Sequence, residues 1–184
     1  MIIWGLAWLS RWYRRYRARK ALIVAVTSVA VDYLVDVMVP DGMGGGFHVD
    51  FALLTARGVV VVDLRDVSGN VFGGDQMDDW TVMDGARRFT FVNPQGALYD
   101  RIAAVKAFAG DTPVEGRIVF TRRARFPKGL PKWTLMLESL RAEFPPVDPS
   151  QVASVMERFG GDWGTLKSAV LPSSLTQVRP IAAP

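Results

Sequence analysis

The stretch GFHVDFALLTARGVVVVDLRDVSGNVFGG, residues 46–74, decides how this chain folds. Residues 47–55, FHVDFALLT, read as one strand and residues 59–65, VVVVDLR, as the next. Only Ala56, Arg57 and Gly58 separate them, so the two form an antiparallel hairpin. The run of four valines has no polar alternate and suits a central strand buried on both faces. Two carboxylates interrupt this apolar pair: Asp50 in the first strand and Asp63 near the end of the second. A carboxylate in a central strand is costly to bury unless it is paired or bound to a metal. Neighbouring strands bring Asp50 and Asp63 together at one end of the sheet. Asp63 and Arg65 are two residues apart and share a face, as a surface ion pair at a strand end or as part of a site. Two carboxylates beside a cation have the make-up of a Mg2+ and phosphate site, because Mg2+ prefers hard oxygen ligands and takes phosphate oxygens as well.

Upstream, residues 33–39 (YLVDVMV) read as a strand that stops at Pro40, followed by the flexible connection DGMGGG. The apolar residues 21–31 extend a helix running from about residue 11 to residue 29. Downstream, residues 67–74 form a short loop or strand. Residues 80–82 and 88–92 suit a second hairpin turning at Asp84 and Gly85. Asn93 and Pro94 open a helix over residues 97–108, with Leu98, Ile102, Val105 and Phe108 at helical spacing. Residues 115–120 are a buried strand and residues 121–132 a basic loop. Helices are expected over residues 133–144, through Leu135, Leu137 and Leu140, and over residues 149–159. The tail after residue 171 is rich in Pro and Ser and should fray. This order of elements is an α/β sandwich on a mixed sheet. It divides into a basic aromatic N-terminal helix (1–31), an α/β core (32–145) and a C-terminal helical extension with a flexible tail (146–184).

Composition narrows the chemistry. With no cysteine among 184 residues, disulfide staples and thiolate metal sites are excluded. His48 is the single histidine, which excludes a histidine-based metal or nucleophile site. It lies two residues before Asp50, either contacting that carboxylate or standing as a partly exposed strand histidine. The net charge is +4, yet residues 11–20 alone carry six positive charges and no negative one. The rest of the chain is therefore slightly acidic, and its charge says little about nucleic acid. The apolar residues 1–9 are too few to span a bilayer, which needs about 20. Trp4, Trp8, Trp12 and Tyr16 recur every four residues and line one stripe of a helix, with arginines around it. That is the pattern of an interfacial helix on a membrane surface. It equally suits a helix docking its aromatics on the core or on another copy of the chain, a homo-oligomer. Arg122, Arg123, Arg125 and Lys128, with Phe126 among them, read as a loop gripping a nucleic-acid backbone or as a solvated loop. Asp75, Asp78, Asp79 and Asp84, around Trp80, read as a cation-binding cluster or, the favoured reading, as a solvated acidic loop.

HVDFALLTARGVVVVDLRDVSGNVFGG, followed by Trp80, resembles the core of the nuclease-related domain (NERD), a branch of the PD-(D/E)XK phosphodiesterase superfamily. The resemblance is specific over about residues 46–94, with the Gly58 turn, Ser68, Gly69, Asn93 and Pro94 in matching places. It implies a restriction-endonuclease-like fold, a mixed central sheet flanked by helices. It also implies a metal-dependent phosphodiesterase, a hydrolase of the endonuclease kind, acting on DNA with Mg2+ or Mn2+. Asp50 matches the family's first metal-ligand aspartate. Asp63 stands where the glutamate of Glu-x-Lys is expected and Arg65 where the lysine is. The backbone carbonyl of Leu64 is implied as a further ligand. Two departures follow. Asp63 reaches one methylene less than glutamate, and Arg65 cannot lose a proton near neutral pH, so it serves to clamp phosphate or orient water. Asp32 or Asp36 replaces the acidic residue expected on the preceding helix, and Gln95 follows Asn-Pro sooner than the family pattern has it. The alternative implied by Asp-x-Arg is a non-catalytic scaffold that keeps the fold and binds nucleic acid or a membrane. A cytoplasmic location is expected, at the inner face of the membrane if the N-terminal helix is interfacial.

Overall fold

The computed structural model describes residues 2–173, with side chains from Tyr13 onward apart from Arg14 and Arg15. A long helix, α1 (Ile2–Thr27), leads into a three-stranded meander: β1 (Asp32–Pro40), β2 (Gly46–Thr55) and β3 (Gly58–Arg65). Gly58 makes the tight β2–β3 turn at φ 117°, where a Cβ would also lie 2.4 Å from the Pro113 carbonyl oxygen; only glycine fits both demands. Three short strands follow, β4 (Gly69–Phe72), β5 (Asp79–Asp84) and β6 (Arg87–Val92). Asn93 then caps α2 (Pro94–Lys106) by accepting from the Gln95 N–H. The remaining elements are β7 (Val114–Phe120), β8 (Ala124–Arg125), β9 (Thr134–Met136), α3 (Leu140–Glu143), α4 (Val152–Ala169) and β10 (Leu171–Pro172).

These strands make two mixed sheets flanked by helices, a restriction-endonuclease-like α/β fold. The larger runs β10-β1-β2-β3-β7-β9, antiparallel through the meander and parallel from β3 outward. The smaller runs β6-β5-β4-β8. The valine strand sits at the centre of the larger sheet and is buried on both faces. Val59 and Val61 face α2, α4 and the smaller sheet, while Val60 and Val62 face Val26 and Val29, at the end of α1, together with Leu140 and Phe144. Trp80 closes the first of these cores. It is fully buried, stacked on Phe120 and edge-on to Phe126.

Four expectations change. Residues 133–144 are not one helix. Trp133 adopts a left-handed φ of 61°, and β9 then pairs in parallel with β7 before a short helical turn leads into α3. The leucine spacing had helical period, but the backbone groups on the open edge of β7 are satisfied by a strand. The C-terminal helix continues past residue 159 to Ala169, despite Gly160, Gly161 and Gly164. Burial of Phe159, Trp163 and Leu166 along one stripe outweighs the poor glycine propensity. Of the tail after residue 171, Pro172 joins Leu171 in an edge strand on β1, and residues 174–184 lie outside the described residues. The basic loop carries the two-residue strand β8, paired in parallel with β4.

Candidate active site

The hairpin register pairs Phe51 with Val62, so one further step sets Asp50 across from Asp63. Asp63 continues the row of Val59 and Val61 on the side that faces α2. It is 3% exposed, and its Oδ2 accepts from two guanidiniums, Arg65 Nη2 at 2.8 Å and Arg101 Nη1 at 3.1 Å. The pairing of Asp63 with Arg65 along one strand face is thus not a plain surface pair: its carboxylate is buried and its guanidinium half-buried. Arg101 comes from α2, and its Nε–H also donates to the His48 carbonyl at 2.6 Å. The Arg65 guanidinium stands 5.9 Å over the Phe91 ring, and its Nε is buried without a hydrogen-bond partner.

Asp50 is held differently. Its Oδ2 accepts the Leu64 N–H at 2.9 Å and its Oδ1 lies 3.3 Å from His48 Nδ1. The Leu64 amide thus steadies the first carboxylate from the neighbouring strand. Burial pushes the Asp50 carboxyl up from its ordinary pKa, and the negative charge of Asp63 pushes it further. The Leu64 N–H, His48 and Arg101 oppose this without cancelling it. Here is a carboxylate whose charge the protein leaves under-compensated.

On its other side Asp50 meets β1. The β1–β2 register runs through Val35↔Phe51 and Val37↔Val49, which sets Asp36 opposite Asp50. Asp36 has a left-handed φ of 51°. Val35 and Phe51 face one core while Val37 and Val49 face the other, so both strands reverse their alternation at this pair. The fault gathers Asp36, His48 and Asp50 so that one ligand atom from each lies within 4.8 Å of the others. Arg19 of α1 pairs with Asp36 Oδ2. His48 is both partly exposed and in contact with Asp50, and its place in this group corrects the expectation that no histidine could serve a metal site. Asp32, the other upstream acid, lies elsewhere: it accepts from Trp163 Nε1 and Lys167 Nζ of α4 at 2.9 and 2.8 Å.

The remaining residues singled out in the sequence are more scattered. Gln95 is buried away from the carboxylates, where its Nε2 donates to Asp75 Oδ1 and to the Lys132 carbonyl. Asp75 thus braces a loop instead of being merely solvated. Arg122, Arg123, Arg125 and Lys128 are exposed. Their loop is fastened directly behind the motif: Thr121 N–H donates to the Arg65 carbonyl, while Thr121 Oγ1 and Arg123 bond Asp66. Trp4, Trp8 and Trp12 have side chains outside the described residues. Tyr16 is exposed and lines a groove between α1 and the β1–β10 edge with Arg19, Ile23 and Asp36. Among the described residues no helix is long and apolar enough to cross a membrane. Arg101 was missed in the sequence. Its one signal was position: three residues after Leu98 and one before Ile102, it borders the stripe that α2 lays on the sheet.

The model of the nuclease-related domain matches residues 25–121, more than half of the chain. The chain belongs to the nuclease-related domain family. The match takes in Asp36, His48, Asp50, Asp63, Arg65 and Arg101, and within this NERD domain it ends one residue past β7. No curated protein and no solved structure matches the chain.

Proposed function

We propose that this NERD domain is a metal-dependent phosphodiesterase that cuts DNA. One observation carries the reading: Asp50 and Asp63 lie side by side in the sheet, and Asp50 is half-buried with its charge under-compensated. A hard divalent cation supplies the missing charge. The donors fit one, being carboxylate oxygens with a single imidazole, a set that suits Mg2+ or Mn2+. Asp50 would hold the cation, with Asp63 and the Leu64 carbonyl on one side or Asp36 and His48 on the other. When bound, the cation would polarise the phosphodiester and acidify a coordinated water.

The protein groups have separate tasks. Arg65 stays protonated at neutral pH, so it binds a phosphate oxygen or orients water and takes up no proton. Arg101 holds the Asp63 carboxylate on the α2 side. Arg122, Arg123, Arg125 and Lys128 contact the DNA backbone, which sets register without reading sequence. On this reading residues 32–145 are the catalytic core, 1–31 a basic aromatic helix and 146–184 a C-terminal extension. The aromatic helix would rest on the inner membrane face in the cytoplasm or join copies of the chain.

Plasmid nicking with Mg2+ or Mn2+ tests the proposal. The wild-type chain should nick and Asp63→Ala should not. An intact plasmid with both metals refutes the enzyme, and nicking that persists in Asp63→Ala belongs to a contaminating nuclease. A second reading has its own support, because Asp63 Oδ2 is already occupied by Arg65 and Arg101. A scaffold that keeps the fold without the chemistry would bind DNA and leave the plasmid intact.

A further inference from the structure

We infer that Arg101 of α2 and Arg65 of β3 form a two-guanidinium clamp for one phosphate of the DNA, braced by Asp63. The inference rests on the reading of this site as one that engages DNA, and it adds a binding residue from a helix outside the Asp-x-Arg motif. Both guanidiniums bond the same oxygen, Asp63 Oδ2, at 2.8 and 3.1 Å. They therefore stand close enough for one phosphate group to bridge. A structural ion pair at Asp63 needs one arginine, and here there are two. Each guanidinium carries five N–H donors. Arg65 gives one bond to the protein and Arg101 two, so most of the fork is unspent. Exposed donors are met by water, but Arg65 Nε is buried and unmet. An unmet buried donor costs free energy, which a ligand on the fork recovers by drawing the guanidinium into full bonding. Planar forks match phosphate oxygens, and both arginines keep an exposed part, 31% and 21%.

The packing of α2 on the sheet makes this arrangement possible. Gly116 of β7 lies beneath α2, where a Cβ would fall 2.6 Å from Ile102 Cδ1 and 2.9 Å from Leu98 Cδ1. Its missing side chain lets the helix sit low on the sheet, which brings Arg101 within reach of Asp63. The bond from Arg101 Nε to the His48 carbonyl then fixes the guanidinium before any ligand arrives. The basic loop begins at Thr121, whose N–H holds the Arg65 carbonyl, so the loop of exposed arginines is tied to the strand that carries Arg65.

The test is binding of a labelled DNA duplex to the full chain in EDTA, over a salt series, with melting temperatures measured alongside. Arg101→Gln should weaken binding roughly tenfold or more and lower the log–log salt slope by about 0.9, the loss of one phosphate contact. Arg101→Lys should recover the slope but not the affinity, since a point charge does not replace a fork. Arg65→Gln with Arg101→Gln should lose no more slope than either alone, because both grip one phosphate. Arg158→Gln on α4 should bind as wild type. Unchanged affinity and slope in Arg101→Gln, with only a lower melting temperature, would overturn the clamp and make the pair a structural one. Slope losses that add in the double variant would also overturn it, by assigning two phosphates. The binding results are independent of cleavage: an intact plasmid with the clamp results obtained removes the enzyme and leaves the clamp, and the reverse pattern removes only the clamp.

Discussion

Replacing Asp50 by Asn isolates the proposed cation site with little else disturbed. The side-chain amide oxygen still accepts the Leu64 N–H now held at 2.9 Å, and the amide occupies nearly the volume of the carboxyl. What disappears is one half-buried negative charge. If a divalent cation binds the folded chain at Asp50, linkage stabilises the wild type by about 2.7 kcal/mol at one hundred times Kd. For a chain of 184 residues each kcal/mol moves the melting temperature by about 2–4 °C, so Mg2+ or Mn2+ should raise it by roughly 5–10 °C. Asp50→Asn should abolish most of that shift. In EDTA the sign reverses. Burial, and then the charge of Asp63, hold the Asp50 carboxyl above its ordinary pKa. The folded state therefore binds more protons than the unfolded one, and the ionised carboxylate opposes folding at neutral pH. The same variant should melt higher than wild type without metal. The assay is a thermal melt of both proteins in EDTA and across a titration of each metal. An equal metal shift in the variant, or no shift in the wild type with either ion, would refute the assignment of the cation to Asp50.

Three other outcomes are expected. Burial tends to raise the Asp32 carboxyl, but hydrogen bonds from Lys167, Trp163 and the Tyr33 N–H, with the Lys167 charge, outweigh it and leave its pKa below the ordinary 3.8. Its stabilising contribution is present above that value and is lost as pH falls through the lower folded pKa; Asp32→Asn should be less stable than wild type in urea at about pH 7, with the gap closing as pH falls below 3.8, and a gap independent of pH would contradict this. Trp80 is fully buried against Phe91, Phe120 and Phe126, so Trp80→Ala should cost about 3–5 kcal/mol in urea denaturation; a cost under about 1 kcal/mol would mean the smaller sheet is not anchored there. A chain beginning at Lys20 keeps Ile23, Val26 and Val29, the residues of α1 and its C-terminal turn that join the core. It should fold, yet it should lose flotation on anionic vesicles if the preceding aromatic helix is interfacial, and equal flotation would remove the membrane from the proposal.

The hairpin at residues 46–65 was legible in the sequence because its information is local. A short turn sets the register, the register sets Asp50 beside Asp63, and a two-residue step sets Asp63 beside Arg65. The valine run could only be central, since no polar alternate was available to face water. Tertiary structure decided what reached this hairpin from a distance. Arg101 arrives because Gly116 lets α2 sit low, a fact about packing between segments that no spacing in α2 encodes. Asp36 joins Asp50 through a left-handed residue that reverses two strands at once, and a backbone torsion at an aspartate leaves no mark in hydrophobic pattern. Residues 134–136 became a strand because β7 presented an edge, although their own leucines were spaced for a helix. Local period and turn chemistry thus determined the carboxylate pair, while long-range packing determined which cations and acids surround it.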